Sequence, residues 1–122
     1  MNSVLNLNET KLDQMGNTKL FENDKVIIWD FVLKPGEASA MHTHMKDYMW
    51  FAIEGAPLQI FDQEGRDCGV FDVPTNGVFS LKVTDGVVEV LSEIGKGEKF
   101  PATHKAVNVG QSNYREVLVE YK

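Results

Sequence analysis

The chain has 122 residues, with a hydrophobic fraction of 43%, a charged fraction of 25% and a formal net charge of -6. This length suits one domain around one core, and no apolar run approaches the ~20 residues needed to cross a bilayer. The 12 lysines and arginines are dispersed without a basic cluster, so neither nucleic acid nor a membrane is an expected partner.

Residues 1–24 are polar and weakly patterned, and we expect them to form an N-terminal arm before a main domain over residues 25–122. The first residues lack the basic region and apolar core of a secretory signal, which favours a cytoplasmic protein. A few leucines of the arm are expected to pack as a short strand or helical turn across the main domain or against a partner subunit: Leu5, Leu7, Leu12 and Leu20.

Three predicted strands open the main domain. Residues 25–33 (KVIIWDFVL) are β-branched and aromatic, which predicts a strand. Pro35 and Gly36 then suit a type II turn, with glycine where φ is positive. Residues 38–45 and 48–53 (YMWFAI) are predicted to be the next strands. If Tyr48 points inward, Trp50 also does so by alternation and forms a pocket wall.

Two hairpins are predicted in the middle of the chain. Residues 58–62 are expected to pair with residues 68–73, and residues 78–83 with residues 87–91. The second pair is joined through Asp85-Gly86, a strong hairpin signal. The only cysteine, Cys68, cannot form an internal disulfide, which agrees with a reducing compartment.

The last segments complete an all-β pattern. Residues 95–99 are glycine-rich and are predicted to form a turn, because the phosphate-loop pattern and a following helix are both missing. Residues 104–109 and 116–121 are predicted strands. About nine short strands separated by turn signals favour a β-barrel or sandwich.

The three histidines are the candidate metal ligands. His42 and His44 project from the same face if their segment is extended, because residues two apart on a strand share a face. His104 must be brought to them by another strand. Neutral imidazole is a common ligand of transition metals, and three ligands leave a coordination position open for a substrate.

The arrangement of these histidines resembles that of the cupin family. Its first motif, G-x5-H-x-H-x3/4-E-x6-G, is matched in spacing by residues 36–55, with Tyr48 in place of the glutamate. Its second motif, G-x5-P-x-G-x2-H-x3-N, is matched in part by residues 95–108, where Pro101 is two positions closer to His104 and the inner glycine is missing. The resemblance covers about residues 26–121.

This resemblance implies a double-stranded β-helix, the jelly-roll cupin barrel, and a homodimer formed through an edge strand. It also implies one divalent metal ion, Fe, Mn, Ni or Zn, held by His42, His44 and His104. Tyr48 is the candidate fourth ligand, with further possible roles in hydrogen bonding to a metal-bound water or in acid–base catalysis. Asp47 is the alternative ligand if the strand carries a one-residue bulge.

Three functions follow from the resemblance. The first is a small metalloenzyme that catalyses oxygenation, isomerisation, decarboxylation or elimination on a small carbonyl- or carboxylate-bearing substrate, since the fold does not choose among these reactions. The second is a non-catalytic module that binds a metal or a small ligand. The third is a barrel whose metal site has decayed, which the missing glutamate favours and the three histidines oppose.

Overall fold

The computed structural model describes residues 15–122. The predicted contacts of Leu5, Leu7 and Leu12 lie outside these residues. The described part of the chain consists of strands and connecting turns, and none of it forms a helix that could cross a membrane. The prediction of an all-β fold is confirmed.

Eleven strands form two antiparallel sheets within residues 15–122. The strands are β1 (Thr18–Glu22), β2 (Val26–Leu33), β3 (His42–Thr43), β4 (Tyr48–Glu54), β5 (Ala56–Asp62), β6 (Asp67–Val73), β7 (Val78–Thr84), β8 (Val87–Val90), β9 (Lys99–Pro101), β10 (Thr103–Asn108) and β11 (Tyr114–Tyr121). The larger sheet has the order β1-β2-β11-β4-β7-β8-β9, and the smaller one has the order β3-β10-β5-β6.

The predicted hairpins are both present. β5 pairs with β6, and β7 pairs with β8. Asp85 and Gly86 both have positive φ, at 51° and 78°, as a tight hairpin turn of the type I′ class requires. The predicted turn at Pro35-Gly36 is present as well, because Gly36 has a φ of 84° and the Glu37 amide donates to the Lys34 carbonyl.

Three strands have features that the sequence pattern does not predict. β11 lies between β2 and β4 in the middle of the larger sheet. β1 falls within the predicted arm of residues 1–24 and pairs with β2, although all five of its residues are exposed. β9 contains Pro101 and lies at an edge of the sheet, where a residue without an amide hydrogen is tolerated.

Apolar side chains from both sheets form the core between them. Alternation buries one face of β4: Tyr48 and Trp50 both point inward, as expected, and so does Ala52, whereas Phe51 is exposed. The aromatic rings of Trp50, Phe71 and Phe79 contact one another across the interior. At one end of this core three buried polar rings replace the apolar side chains.

Candidate metal centre

The pairing of β3 with β10 brings two histidines from distant parts of the chain together. His42 lies directly opposite His104 in this antiparallel ladder, and Thr43 lies opposite Thr103. Side chains at opposed positions of an antiparallel pair are close neighbours on one face. The two ring Nε2 atoms are 3.1 Å apart, and both rings are buried.

The segment before β3 follows β10 without forming a continuous strand. Hydrogen bonds join Gly36 and Glu37 to Asn108, and Ser39 to Ala106. Only His42–Thr43 form a regular strand, so the strand predicted over residues 38–45 is shorter than expected. The irregular backbone leaves the Ala40 carbonyl free to accept a hydrogen bond from the His42 ring.

Backbone carbonyls set the tautomers of the two facing rings. His42 Nδ1 is 2.9 Å from the Ala40 carbonyl, and His104 Nδ1 is 2.6 Å from the Pro101 carbonyl. A carbonyl oxygen only accepts, so each Nδ1 carries the hydrogen and donates it. The Nε2 lone pairs of the two neutral rings therefore face each other, an arrangement that a metal ion bound to both nitrogens would stabilise.

His44 is the third member of the cluster and is held differently. Its backbone amide donates to the Ala102 carbonyl, and its ring stacks on Tyr48 with centroids 3.9 Å apart and planes 5° from parallel. Within residues 15–122 its ring is not tied to a backbone carbonyl. The ligand nitrogens of all three histidines lie within 4.8 Å of one another.

The facing pair fits one transition-metal ion. Two nitrogens that bind one ion at about 2.1 Å are about 3.0 Å apart at a right angle and about 3.4 Å apart at a tetrahedral angle. The 3.1 Å separation of His42 and His104 falls between these values. For all three histidines to bind one ion, the His44 ring would have to move closer to the other two. Its stacking on Tyr48 permits this movement more readily than a hydrogen bond to the ring would.

Burial disfavours protons at this cluster. It lowers the pKa of His42, and it lowers the pKa of His104 to about 3, with a smaller contribution from the nearby His42. The pKa of His44 is held well below its usual value by burial and by the other two rings. The neutral imidazole form, which binds metals, is thus the stable one in this site.

The two candidates for a fourth ligand lie in different places. Tyr48 is 2% exposed and lines the cavity beside His44. Burial, together with the charge of Glu116, raises the pKa of its hydroxyl well above the usual value. Asp47 is exposed, and its carboxylate accepts a hydrogen bond from the Val83 amide on β7. The structure therefore brings Tyr48, and not Asp47, to the histidines.

The histidines line one end of an otherwise largely apolar cavity. Its volume is about 50 Å³, room for a few waters or a small ligand. The residues that line it in the described part of the chain include no lysine or arginine. They are Met15, Phe31, His42, His44, Tyr48, Trp50, Leu58, Ile60, Phe71, Phe100, His104, Ala106, Glu116 and Leu118.

Glu116 is the site residue that the sequence analysis missed. It is 5% exposed, it lines the cavity, and its Oε1 accepts a hydrogen bond from the Tyr114 hydroxyl. Burial raises the pKa of this carboxyl to about 8, against a smaller lowering by Tyr114. The only sequence feature that could have indicated its burial is its position two residues before Leu118, because residues two apart lie on the same face of a strand.

Comparison with solved structures identifies the fold. A cupin domain from Bordetella pertussis Tohama I matches with a TM-score of 0.62 and 18% identity, over 86% of this chain and 90% of that one. A cupin superfamily protein from Desulfitobacterium hafniense DCB-2 matches with a TM-score of 0.50 and 16% identity, over 93% and 82%. Neither a family model nor a curated protein matches the sequence.

These matches define the class of protein: the chain has the jelly-roll cupin fold, and the prediction of that barrel is confirmed. Within the described residues, the barrel carries a cluster of three buried histidines with the composition of a metal site.

Proposed function

We propose that this chain is a metal-binding cupin, a small metalloenzyme that acts on a small polar metabolite bearing a carbonyl or carboxylate. The observation that carries the proposal is the pair of Nε2 atoms facing each other at 3.1 Å, each in a ring whose Nδ1 donates to a backbone carbonyl. This geometry is favourable when a cation lies between the rings, and burial works against a proton there.

His42, His44 and His104 would hold the ion, which we propose to be Fe, Mn, Ni or Zn, since all four accept imidazole ligands. A bound divalent ion supplies Lewis acidity toward a carbonyl or carboxylate oxygen. The protein contributes orientation, because Ala40 and Pro101 fix two of the rings. We propose Tyr48, whose ring stacks on His44, as the fourth ligand or as an acid or base.

The cavity restricts the substrate. No lysine or arginine lines it in the described residues, so a carboxylate would depend on the metal ion for a positive partner. The apolar walls, which include Phe71 and Phe100, exclude water from a ligand that fills the cavity. These features favour a small metabolite with one polar group directed to the histidines.

The alternative is a non-catalytic module that binds a metal or a small ligand. The replacement of the glutamate of the first motif by Tyr48 gives a hard cation less charge compensation, which favours a module that binds a small ligand without depending on a metal ion. A homodimer and a cytoplasmic location remain further predictions for either function.

Turnover assays separate these two functions. Metal-loaded protein, chelator-treated protein and the His104→Gln variant are tested on a panel of hydroxy acids, thiols, diketones and sugar derivatives. Turnover that needs both the metal and His104 supports the enzyme. Saturable binding of a panel member without turnover supports the binding module, and turnover that survives in the chelator-treated protein contradicts metal catalysis.

A further inference from the structure

A single acidic side chain lies among the apolar residues of the cavity wall. Glu116 is on β11, where alternation gives it the same face as Tyr114 and Leu118. Leu118 and Phe31 line the cavity with it. The three-histidine cluster does not include Glu116, so this carboxyl group needs an explanation other than metal ligation.

Tyr114, a neighbour of Glu116 on the same face of β11, holds the carboxyl group in place. Its ring is fully buried and does not belong to the cavity lining in the described part of the chain. Its hydroxyl donates a hydrogen bond to Glu116 Oε1. This bond fixes the orientation of the carboxyl group through one of its two oxygens, and a carboxyl group has further hydrogen-bonding capacity on the other.

The surroundings favour the neutral form of this group. The ion pairs in residues 15–122 that involve lysine or arginine are at the surface, such as Arg115 with Asp30. None of those cations lines the cavity with Glu116. An unpaired carboxylate in an apolar site is costly, and burial accordingly raises the pKa of Glu116 to about 8. A neutral carboxyl group donates one hydrogen bond.

We propose that Glu116 is a specificity-determining residue, whose carboxyl group, held by Tyr114, donates a hydrogen bond to a neutral acceptor oxygen of the ligand. The ligand class is a small molecule with a carbonyl or ether oxygen on an apolar body. An ammonium group is a poor ligand because it would lose its hydration in a cavity that offers no ionised carboxylate to pair with it. The inference deepens the proposed function but rests on it only for the choice of site, since recognition by Glu116 needs no metal ion.

Two small probes of matched shape test the inference: acetone, a neutral acceptor, and isopropylammonium, a cation. Their binding to the full chain is titrated by ligand-observed NMR at pH 6.5, in metal-free and in zinc-loaded protein. Acetone is expected to bind saturably in both, and at least about tenfold more tightly than isopropylammonium, the effect of one hydrogen bond and one avoided desolvation.

Two variants isolate the hydrogen bond. Glu116→Gln keeps a donor and is expected to retain acetone binding within about threefold, whereas Glu116→Leu is expected to weaken it about tenfold. If the leucine variant does not fold, the carboxyl ¹³C signal of Glu116 in the wild type decides. We expect that signal at the position of a neutral acid, moving when acetone is added.

Three results would overturn the inference: no acetone binding to the wild type, tighter binding of isopropylammonium, or an ionised Glu116 whose signal ignores acetone. Equal acetone affinities of the wild type and a folded Glu116→Leu variant would also overturn it. Zinc content is measured on the same samples. A protein that binds acetone as expected but no zinc contradicts the metal centre and leaves the role of Glu116 standing.

Discussion

The Nε2 atoms of His42 and His104 lie 3.1 Å apart, although 62 positions separate the two residues in the chain. The antiparallel pairing of β3 and β10 places the residues opposite each other, and backbone carbonyls turn both lone pairs toward the same point. A metal ion bound to both Nε2 atoms would remove the repulsion between their lone pairs, and in this way the strand pairing supports the proposed metal site.

Zinc affinity is expected to depend little on pH between 7.5 and 6.0. Three imidazoles with ordinary pKa values would lose about 50-fold in affinity over this range, because protons would compete for the ligands. Burial lowers the pKa of all three histidines here. We expect a loss of less than about threefold, measured by competition with a zinc-binding dye.

The metal-free protein is expected to become less stable below about pH 6, so zinc affinity is compared only down to pH 6.0. The unfolded chain protonates its histidines near pH 6.5, whereas the folded chain protonates His104 only near pH 3. Below pH 6.5 the unfolded state therefore binds more protons, and the metal-free protein loses stability as the pH falls. A 50-fold loss of zinc affinity in protein that circular dichroism shows to be folded would contradict the neutral-imidazole site.

The Tyr48→Phe variant tests the hydroxyl of the residue that replaces the motif glutamate. Phenylalanine keeps the stacking on His44, whose centroid is 3.9 Å away, so the fold should be retained. If the hydroxyl binds the ion or its bound water, Co(II) affinity should fall by about tenfold and the visible spectrum should change. Tyr121→Phe, at an exposed tyrosine, is the control, and an unchanged affinity and spectrum would leave Tyr48 with a packing role.

The Glu116→Gln variant is expected to change how stability varies with pH. The carboxyl group takes up its proton near pH 8 in the folded chain and near 4.5 when unfolded. Between these pH values the folded state binds one more proton than the unfolded state. Glu116 therefore makes the free energy of unfolding fall by about 1.4 kcal/mol for each unit of rising pH, and this fall ends above pH 8.

Denaturant unfolding of the wild type and Glu116→Gln at pH 5, 6.5 and 8 measures this effect. The difference between the two proteins removes the contribution of the histidines, which both contain. We expect the wild type to lose roughly 3 kcal/mol relative to the variant from pH 5 to pH 8. Parallel pH profiles would mean that Glu116 titrates normally in the folded protein.

Substitution of Asn108 is expected to lower the stability of the fold without a large loss of zinc affinity. Its fully buried amide donates to the carbonyls of Leu33 and Ser112 and accepts from the Gly110 amide. Asn108→Ala leaves these backbone groups unpaired and should lower the free energy of unfolding by roughly 3 kcal/mol. Asn113→Ala, at an exposed position, should be neutral. A large loss of zinc affinity in folded Asn108→Ala protein would show that this residue also orients the ligands.

Local patterns in the sequence predict much of the fold. Alternation identifies the buried face of β4. Asp85-Gly86 marks the hairpin between β7 and β8 because both positions need positive φ. The shared face of His42 and His44 also follows from spacing. Each of these features depends on a few adjacent residues, so it can be predicted from a short segment without knowing the rest of the fold.

The remaining features depend on partners distant in the chain. The register that sets His104 opposite His42 is a property of β10 and β3 together, and the resemblance to a family motif was needed to anticipate it. For Glu116 the pattern is misleading, because Val117 and Val119 are the apolar residues expected to face a core. β11 lies inside its sheet, and its buried face is the one with Tyr114, Glu116 and Leu118, of which Glu116 and Leu118 line the cavity.

The metal content of protein purified without an affinity tag tests the three-histidine site most directly. Wild-type protein and the variants His42→Gln, His104→Gln and Thr103→Val are saturated with zinc, desalted and analysed by mass spectrometry. The chain has three histidines, so no other imidazole can substitute for a lost one. We expect about one equivalent of zinc in the wild type and in Thr103→Val and far less in both histidine variants. A wild type without metal, or histidine variants that retain a full equivalent, would contradict the site.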